Sequence, residues 1–274
     1  MTETVFEKFN MKEKCAIITG GAGLLGRQFA RTLAEAGAAV VVADVMSERA
    51  QSVADELVSK GYQATAVQVD VTNAQSVQAM VALTLQHYKR LDVLVNSAAM
   101  DPKFDDEHAG QHTNRFEDYP VEAFRSALDV NLTGMFLCSQ AAVAPMIEQN
   151  YGSIINICST YGLTGPDQRL YERDGQPKQY KPVFYSVTKA GVLGLTRYLA
   201  TYYAGTRIRT NALTPGGVFN QHDDVFVEKY SARTVLGRMA NQDEMNGAIL
   251  FLASDASSYM TGSNLVVDGG WTAW

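Results

Sequence analysis

Residues 15–26 decide the fold: Cys15-Ala16-Ile17-Ile18-Thr19-Gly20-Gly21-Ala22-Gly23-Leu24-Leu25-Gly26. The first five residues are apolar and partly β-branched, which predicts a short buried strand. A helical pattern runs on to Ala36 and is closed by Gly37. The glycines between strand and helix allow a tight turn and let backbone N–H groups approach a diphosphate at the helix N-terminus. This order predicts a dinucleotide site with contacts from Gly20, Gly23, Leu25 and Gly26.

A second strand is predicted at residues 40–44, and it ends in Asp44, 18 residues after Gly26. A carboxylate at this position accepts hydrogen bonds from both hydroxyls of an adenosine ribose, and it repels a 2′-phosphate. The sequence therefore favours NAD as the cofactor, with NADP the less favoured alternative.

Strand and helix patterns alternate along the chain. Strands are predicted near residues 14–19, 40–44, 64–69, 91–95, 152–158, 207–212 and 263–267, and helices at 24–36, 47–60, 73–88, 121–149, 184–204 and 242–253. Asn241 and Glu244 have the spacing of a capping box for the last helix. Alternation of this kind predicts a parallel sheet covered on both faces. We expect an α/β Rossmann fold over residues 1–274: one domain with a doubly wound parallel sheet of about seven strands.

Tyr185 and Lys189 are four residues apart and so share one face of a predicted helix. A phenol has an ordinary pKa near 10. A nearby ammonium favours the phenolate and lowers that pKa, so the pair predicts an acid–base catalyst.

These motifs, in this order, resemble those of the short-chain dehydrogenase/reductase family from about Lys12 to Gly270. The resemblance implies four catalytic residues: Asn131, Ser159, Tyr185 and Lys189. It also implies further cofactor contacts, from Asp70, Val71, Asn96, Ala98, Tyr185, Lys189, Pro215, Gly216 and Val218.

The reaction that the resemblance implies is reversible hydride transfer between a secondary alcohol or its ketone and the nicotinamide. Tyr185 would exchange the hydroxyl proton, and Lys189 would lower the pKa of Tyr185 and bind the ribose. Ser159 would orient the substrate oxygen, while Asn131 would hold a water that links Lys189 to solvent.

The glycine spacing departs from the single-domain branch of that family. Leu24 stands where the middle glycine belongs, and the pattern Thr19-Gly20-x-x-Gly23-x-x-Gly26 is typical of the longer branch that modifies sugar nucleotides. The other motifs match the single-domain branch, and no large C-terminal substrate domain is expected. The combination resembles oxidoreductases of bacterial surface-sugar and flagellin-modification pathways.

Ser159 and Tyr185 are separated by 26 residues, about twice the family's usual gap. The extra segment, Pro166–Lys181, is polar and is called the insert below. It has no apolar periodicity, and such loops are usually functional or disordered. Together with residues 100–119 and 216–232, the insert is expected to form the rim of the substrate site. A rim rich in charges favours a polyhydroxylated or anionic substrate over a steroid or fatty chain, although the insert and the 100–119 loop could instead be solvated insertions or subunit contacts.

Composition narrows the binding partners, cellular location and metal sites that are expected for this protein. The formal net charge is −6, without a basic stripe, which gives little support for nucleic-acid or anionic-membrane binding. The polar first ten residues and the lack of a long apolar run predict neither a signal peptide nor a transmembrane helix. Cys15, Cys138 and Cys158 lie in apolar contexts, which predicts reduced thiols in a cytoplasmic protein. His108 and His112 lack a third ligand at sensible spacing, so no metal is expected.

Apolar residues occupy more than one face of the helices at 121–149 and 184–204, which indicates burial against another subunit. The resemblance implies a homotetramer, with a dimer left open. Two rival functions also stay open: a sugar-nucleotide epimerase or dehydratase that retains its NAD, and a non-catalytic dinucleotide-binding protein. Substrate and direction of reaction are not fixed by the sequence.

Overall fold

The computed structural model describes residues 4–101 and 114–274. Seven parallel strands form one sheet in the order β3-β2-β1-β4-β5-β6-β7. The strands are β1 Cys15–Thr19, β2 Ala39–Asp44, β3 Ala64–Gln68, β4 Val93–Asn96, β5 Gly152–Ile157, β6 Ile208–Pro215 and β7 Asn264–Val267. The chain runs outward from β1 to β3 and then returns to β4, which leaves a crevice at the carboxyl ends of β1 and β4. The α/β Rossmann fold predicted from the sequence is confirmed.

Helices cover both faces of the sheet. They are α1 Leu24–Glu35, α2 Ser47–Ser59, α3 Ala74–Tyr88, α4 Val121–Leu128, α5 Gly134–Glu148, α6 Val183–Tyr202, α7 Asp224–Ser231 and α8 Asn246–Ala253. Along β1, Ile18 packs in one apolar cluster with Phe29 of α1, while Ile17 packs in another with Met80 of α3. Since side chains alternate along a strand, both faces of the sheet need apolar cover, and every β1 residue is buried.

The long helix predicted at 121–149 is interrupted. A five-residue π-helical segment, Asp129–Thr133, separates α4 from α5. By length and composition, the continuous stretch Val121–Glu148 is long and apolar enough to cross a membrane, and half of its most apolar window is buried inside the protein. Cys138 and Met146 of α5 belong to the sheet core, so packing within the fold explains much of that apolar character.

Two helix predictions near the C-terminus are corrected. The sequence map had no helix at 224–231, where the structure has α7, capped by Asp223, which accepts from the N–H of Phe226 at 3.0 Å. The last helix begins at Asn246 rather than 242. Glu244 does accept from the N–H of Asn241 at 2.7 Å, but it also holds Arg238, so these residues form a turn before the helix.

Candidate active site

The glycine turn lies between β1 and the N-terminus of α1. A Cβ on Gly26 would lie 2.1 Å from the Gly20 carbonyl oxygen, so the turn closes only around glycine. Gly20 has φ +62°, in the left-handed region that favours glycine. Gly23 caps α1 without any side-chain hydrogen bond, which leaves N–H groups of the first turn, including that of Leu25, facing the crevice. These donors and the helix dipole fit a diphosphate.

Asp44 is the last residue of β2 and lies beside this turn. Its Oδ2 accepts from the N–H of Ala22 at 3.1 Å, and its Oδ1 accepts from the N–H of Met46 at 3.0 Å. Backbone donors at the carboxyl ends of the strands therefore fix the direction of the carboxylate. That placement fits the ribose end of a dinucleotide whose diphosphate lies on α1.

Asp70 and Val71 follow β3. Asp70 Oδ1 accepts from the N–H and the hydroxyl of Thr72, at 2.9 and 2.7 Å, which forms a tight turn. Val71 is buried, and an ideal Cβ on Gly134 would lie 2.7 Å from its Cγ2. Both residues lie at the carboxyl ends of the strands, as the glycine turn does.

Asn96 and Ala98 follow β4, next to β1. The N–H of Ala98 donates to Thr19 Oγ1 at 3.2 Å, which ties the ends of the two strands together. The Asn96 amide nitrogen donates to Ser139 Oγ at 3.1 Å and to Asn156 Oδ1 at 2.9 Å. The Asn96 side chain is thus engaged inside the fold rather than at its surface.

Pro215 ends β6, and Gly216 continues alongside β7, where its N–H donates to the Val267 carbonyl at 2.9 Å. Val218 pairs with Ala240 in an isolated parallel bridge. The predicted cofactor residues from these different motifs therefore lie along the carboxyl ends of the strands, where an open α/β sheet binds its ligands.

Tyr185 and Lys189 lie in the first two turns of α6, as the sequence predicts. Lys189 is buried, donates from Nζ to the Ile157 carbonyl at 2.9 Å, and places that atom 5.8 Å from the centroid of the Tyr185 ring. Ser159 follows β5, and its side chain lies near enough to the Tyr185 hydroxyl to lower the phenol pKa. Tyr185 as a whole residue is half-buried.

The pKa of Tyr185 departs from the expected direction. Burial raises the pKa, the negative charge of Asp101 raises it further, and the neighbouring Ser159 side chain lowers it. The pKa of Lys189 is lowered, mainly by burial. Burial dominates the pKa of Tyr185 because desolvation disfavours the phenolate, and the lowering effect expected of Lys189 stays a prediction.

Asn131 lies in the π-helical segment between α4 and α5. Its Oδ1 accepts from the N–H of Met100 at 2.6 Å, and its Nδ2 donates to the Met100 carbonyl and the Thr188 hydroxyl, both at 3.2 Å. Asn131 thereby links the segment after β4 to α6 beside Lys189. π-Helical turns often occur at functional sites.

The insert differs from its expected character in one respect. Residues Gln168–Tyr171 form a 3₁₀ turn, and Leu170 and Tyr171 are buried, with exposed fractions of 2% and 6%. They join an aromatic cluster with Tyr161, Tyr230, Met239 and Trp271, against which Tyr185 packs. The segment lacks a long periodic face, yet this single turn supplies two core side chains.

Ion pairs attach the insert to α7 and the residues after it. Arg173 pairs with Asp223 at 2.6 Å, Arg233 pairs with Asp167, and Lys229 donates to the Glu172 carbonyl at 2.8 Å. Of the predicted rim, the structure therefore brings the insert and the 216–232 segment together. Most of the third rim segment, 102–113, lies outside the described residues.

A contact that sequence reasoning missed joins the insert to the residue after Met100. Lys181 Nζ forms an ion pair with Asp101 Oδ1 at 2.6 Å and lies 4.0 Å from the Tyr185 ring centroid. Lys181 and Tyr185 are four residues apart, which is the only local signal for their contact. The partner, Asp101, is 80 residues away in sequence and could not be identified from spacing.

All three cysteines are buried and free. Cys158 Sγ donates to the Lys189 carbonyl at 3.1 Å, so its thiol is hydrogen-bonded inside the fold. Among residues 4–101 and 114–274, no three His, Cys, Asp or Glu side chains are grouped to hold a metal ion. His108 and His112 lie outside the described residues.

Comparison with known proteins adds the family. The family profile described as "Enoyl-(Acyl carrier protein) reductase" matches residues 21–272. A cis-4-hydroxycyclohexanecarboxylate dehydrogenase of Sinomonas cyclohexanicum is 39% identical over 95% of this chain and 97% of the relative. A 3-alpha-(or 20-beta)-hydroxysteroid dehydrogenase of Mycobacterium bovis is 36% identical over 95% of this chain and 90% of the relative.

Among solved structures, a gluconate 5-dehydrogenase from Burkholderia cenocepacia J2315, in complex with NADP and tartrate, superposes with a TM-score of 0.86 at 30% identity, covering 99% of this chain and 100% of that chain. The profile match, the full-length relatives and the shared sheet agree with the motif order. The chain belongs to the short-chain dehydrogenase/reductase family, whose members are NAD(P)-dependent oxidoreductases that act on CH–OH groups.

Proposed function

We propose that this protein is an NAD-dependent dehydrogenase that interconverts a secondary alcohol and its ketone. Its proposed catalytic residues are Asn131, Ser159, Tyr185 and Lys189. One observation carries the proposal: the Tyr185 hydroxyl lies near the Ser159 side chain at the carboxyl ends of the strands, and the Lys189 ammonium lies 5.8 Å from the centroid of the Tyr185 ring. The cofactor contacts predicted from the sequence belong to the same proposal.

In this mechanism Tyr185 holds or takes the proton of the substrate hydroxyl. Ser159, which lies near the Tyr185 hydroxyl, orients the same oxygen and stabilises charge that develops on it. Lys189 is held by the Ile157 carbonyl, so its remaining N–H groups are available for a ribose hydroxyl. When bound, the nicotinamide supplies the hydride acceptor, and the protein fixes the geometry around it.

NAD rather than NADP is the proposed cofactor. Asp44 carries a full negative charge at the end of β2, and two backbone N–H groups hold its carboxylate beside the glycine turn. A 2′-phosphate at this position would be repelled. The gluconate dehydrogenase named above carries NADP, so this part of the proposal depends on Asp44 alone.

The proposed substrate is a polar alcohol, and a carboxylated one in particular. The charged insert borders Tyr185, and one relative is named for a hydroxycyclohexanecarboxylate and another for gluconate. The hydroxysteroid dehydrogenase is named for an apolar substrate, which makes the choice testable. The resemblance to surface-sugar and flagellin-modification oxidoreductases rests on the glycine spacing and stays a prediction.

We also propose that the chain forms a single domain, that the protein is cytoplasmic and that it is a homo-oligomer. A tetramer is favoured, and a dimer is the alternative. Phe136 on α5 and Tyr198 on α6 are 46% and 62% exposed, which supports a second copy of the chain as their cover. Light scattering coupled to gel filtration tests this, because Phe136→Asp should lower the measured mass if α5 lies in the interface.

The function is tested by following NADH formation at 340 nm with a panel of hydroxy acids, polyols, sugars, sugar nucleotides and a 3α-hydroxysteroid. A dehydrogenase produces NADH in proportion to ketone. An epimerase or dehydratase would change a sugar nucleotide without net NADH, and a non-catalytic binding protein would bind NAD without any turnover.

A further inference from the structure

A second lysine contacts the proposed catalytic tyrosine. Lys181 ends the insert, and its Nζ lies 4.0 Å from the Tyr185 ring centroid, closer than the 5.8 Å of Lys189. The Lys181 side chain is 10% exposed, and its backbone N–H donates to Gln168 Oε1 at 2.9 Å. The ammonium is therefore held beside Tyr185 and does not extend into solvent.

The partner of Lys181 is much more accessible. Asp101 receives the Lys181 ammonium at 2.6 Å, but its side chain is 47% exposed. Because solvent reaches the Asp101 carboxylate, a ligand carboxylate can approach the same ammonium from that side. Asp101 can be replaced by a ligand carboxylate, whereas Lys181 stays in place.

The other cations of the insert have fixed tasks elsewhere. Arg173 pairs with Asp223, Arg169 pairs with Asp167, and Lys178 pairs with Glu172 at 2.7 Å. These pairs attach the insert to α7 or brace its own turns. Lys181 differs because it lies over the ring that carries the proton-exchanging hydroxyl.

We propose that Lys181 binds the carboxylate of a hydroxy-acid substrate, and that Asp101 forms an ion pair with the Lys181 ammonium until the substrate binds. The inference rests on the proposed dehydrogenase function. It names the substrate class: alcohols whose carboxylate lies a few bonds from the carbinol carbon, so that one end meets Lys181 and the other meets Tyr185. Lys181 is a specificity residue, since it acts on the remote carboxylate rather than on the reacting atoms.

The test compares an acid with its uncharged analogue. The probes are cis-4-hydroxycyclohexanecarboxylate and its methyl ester, assayed with NAD on wild type, Lys181→Met, Lys181→Arg and Asp101→Asn. Methionine keeps the length and apolar stem over Tyr185 but removes the charge. Lys178→Met is the matched control, since it removes a charge from the same insert at a side chain that pairs with Glu172. Melting temperature and NAD affinity check that each variant is folded.

We expect Lys181→Met to raise KM for the acid on the order of 10- to 100-fold, the range for loss of a charged hydrogen bond, and to leave the ester within about threefold. Lys181→Arg should keep the preference for the acid, and Asp101→Asn should lower the KM for the acid. Lys178→Met should leave the KM for both substrates unchanged.

Equal effects of Lys181→Met on acid and ester would overturn the proposal and make Lys181 a structural residue. A wild-type enzyme that oxidises the ester as well as the acid would also overturn it. Absence of turnover of both probes, of cyclohexanol and of the wider panel would instead refute the dehydrogenase function itself.

Discussion

The Tyr171 hydroxyl donates a hydrogen bond to the Tyr161 hydroxyl at 3.2 Å. Tyr171 belongs to the insert, whereas Tyr161 lies two residues after Ser159 and meets the Tyr185 ring edge-on at a centroid distance of 6.3 Å. The insert therefore packs against a side chain that contacts Tyr185, so its packing and its proposed role in specificity can be tested together.

Leu170→Ala tests the packing of that wall. Leu170 is 2% exposed within the aromatic cluster, so its truncation should lower the free energy of unfolding by about 2–4 kcal/mol. In a chain of this size the melting temperature should fall by about 5 °C or more. Gln176→Ala, at an exposed position of the same segment, is the control and should change stability by less than about 0.5 kcal/mol. Equal melting of both variants would show that the insert is not packed as described.

Replacement of residues 166–181 by a short Gly/Ser connection is a stronger change. Loop-closure entropy alone makes such a change mild, about 0.6 kcal/mol per doubling of length. The loss of buried Leu170 and Tyr171 dominates, at about 1.5–3 kcal/mol for each side chain. We expect a clearly lower melting temperature together with a raised KM. If the shortened protein has the melting temperature and the substrate preference of wild type, the insert contributes neither to stability nor to specificity.

Asp44→Asn tests the cofactor. Asparagine keeps one side-chain oxygen, which can accept from the N–H of either Ala22 or Met46, and it removes the charge. The ratio of kcat/KM with NAD to that with NADP should fall on the order of tenfold or more, because NAD loses a charged acceptor and NADP loses a repulsion. Ser47→Ala, at the start of α2, provides a control at a nearby exposed position. The assignment fails if wild type already prefers NADP.

The raised pKa of Tyr185 predicts a pH dependence. Oxidation needs the phenolate as base, and a pKa raised by burial keeps the phenol protonated at neutral pH. The kcat/KM for alcohol oxidation should therefore rise by up to tenfold per pH unit from neutral to alkaline pH, while ketone reduction, which needs the phenol, stays level. An oxidation profile that is already flat between pH 6 and 8 would contradict the raised pKa.

Local patterns predicted most of the fold. The alternation of Ile17 and Ile18 toward opposite helix layers follows from strand geometry, and Gly37 ends α1 with φ +104°, as a helix-closing glycine should. The end of β2 at Asp44 was also visible from the sequence. These features depend on neighbours within a few residues, which is why a single sequence suffices.

The parts that sequence reasoning missed depend on distant partners. The two apolar residues of the insert, Leu170 and Tyr171, are buried only because Tyr230 and Trp271 arrive from other segments. The α7 helix could have been found, since Asp223 is a good N-cap and Phe226 and Tyr230 share a helix face. The contact of Lys181 with Asp101, and its effect on Tyr185, needed the tertiary structure.

The central claim is that Tyr185 exchanges the proton during NAD-linked oxidation. The most direct measurement is the kcat for NADH formation from the best alcohol of the panel, for wild type and Tyr185→Phe, with NAD affinity measured on both. We predict that the variant loses about 10²- to 10⁴-fold in kcat, the usual acid–base contribution, and binds NAD nearly as well as wild type. Retention of more than about a tenth of wild-type kcat would contradict the claim.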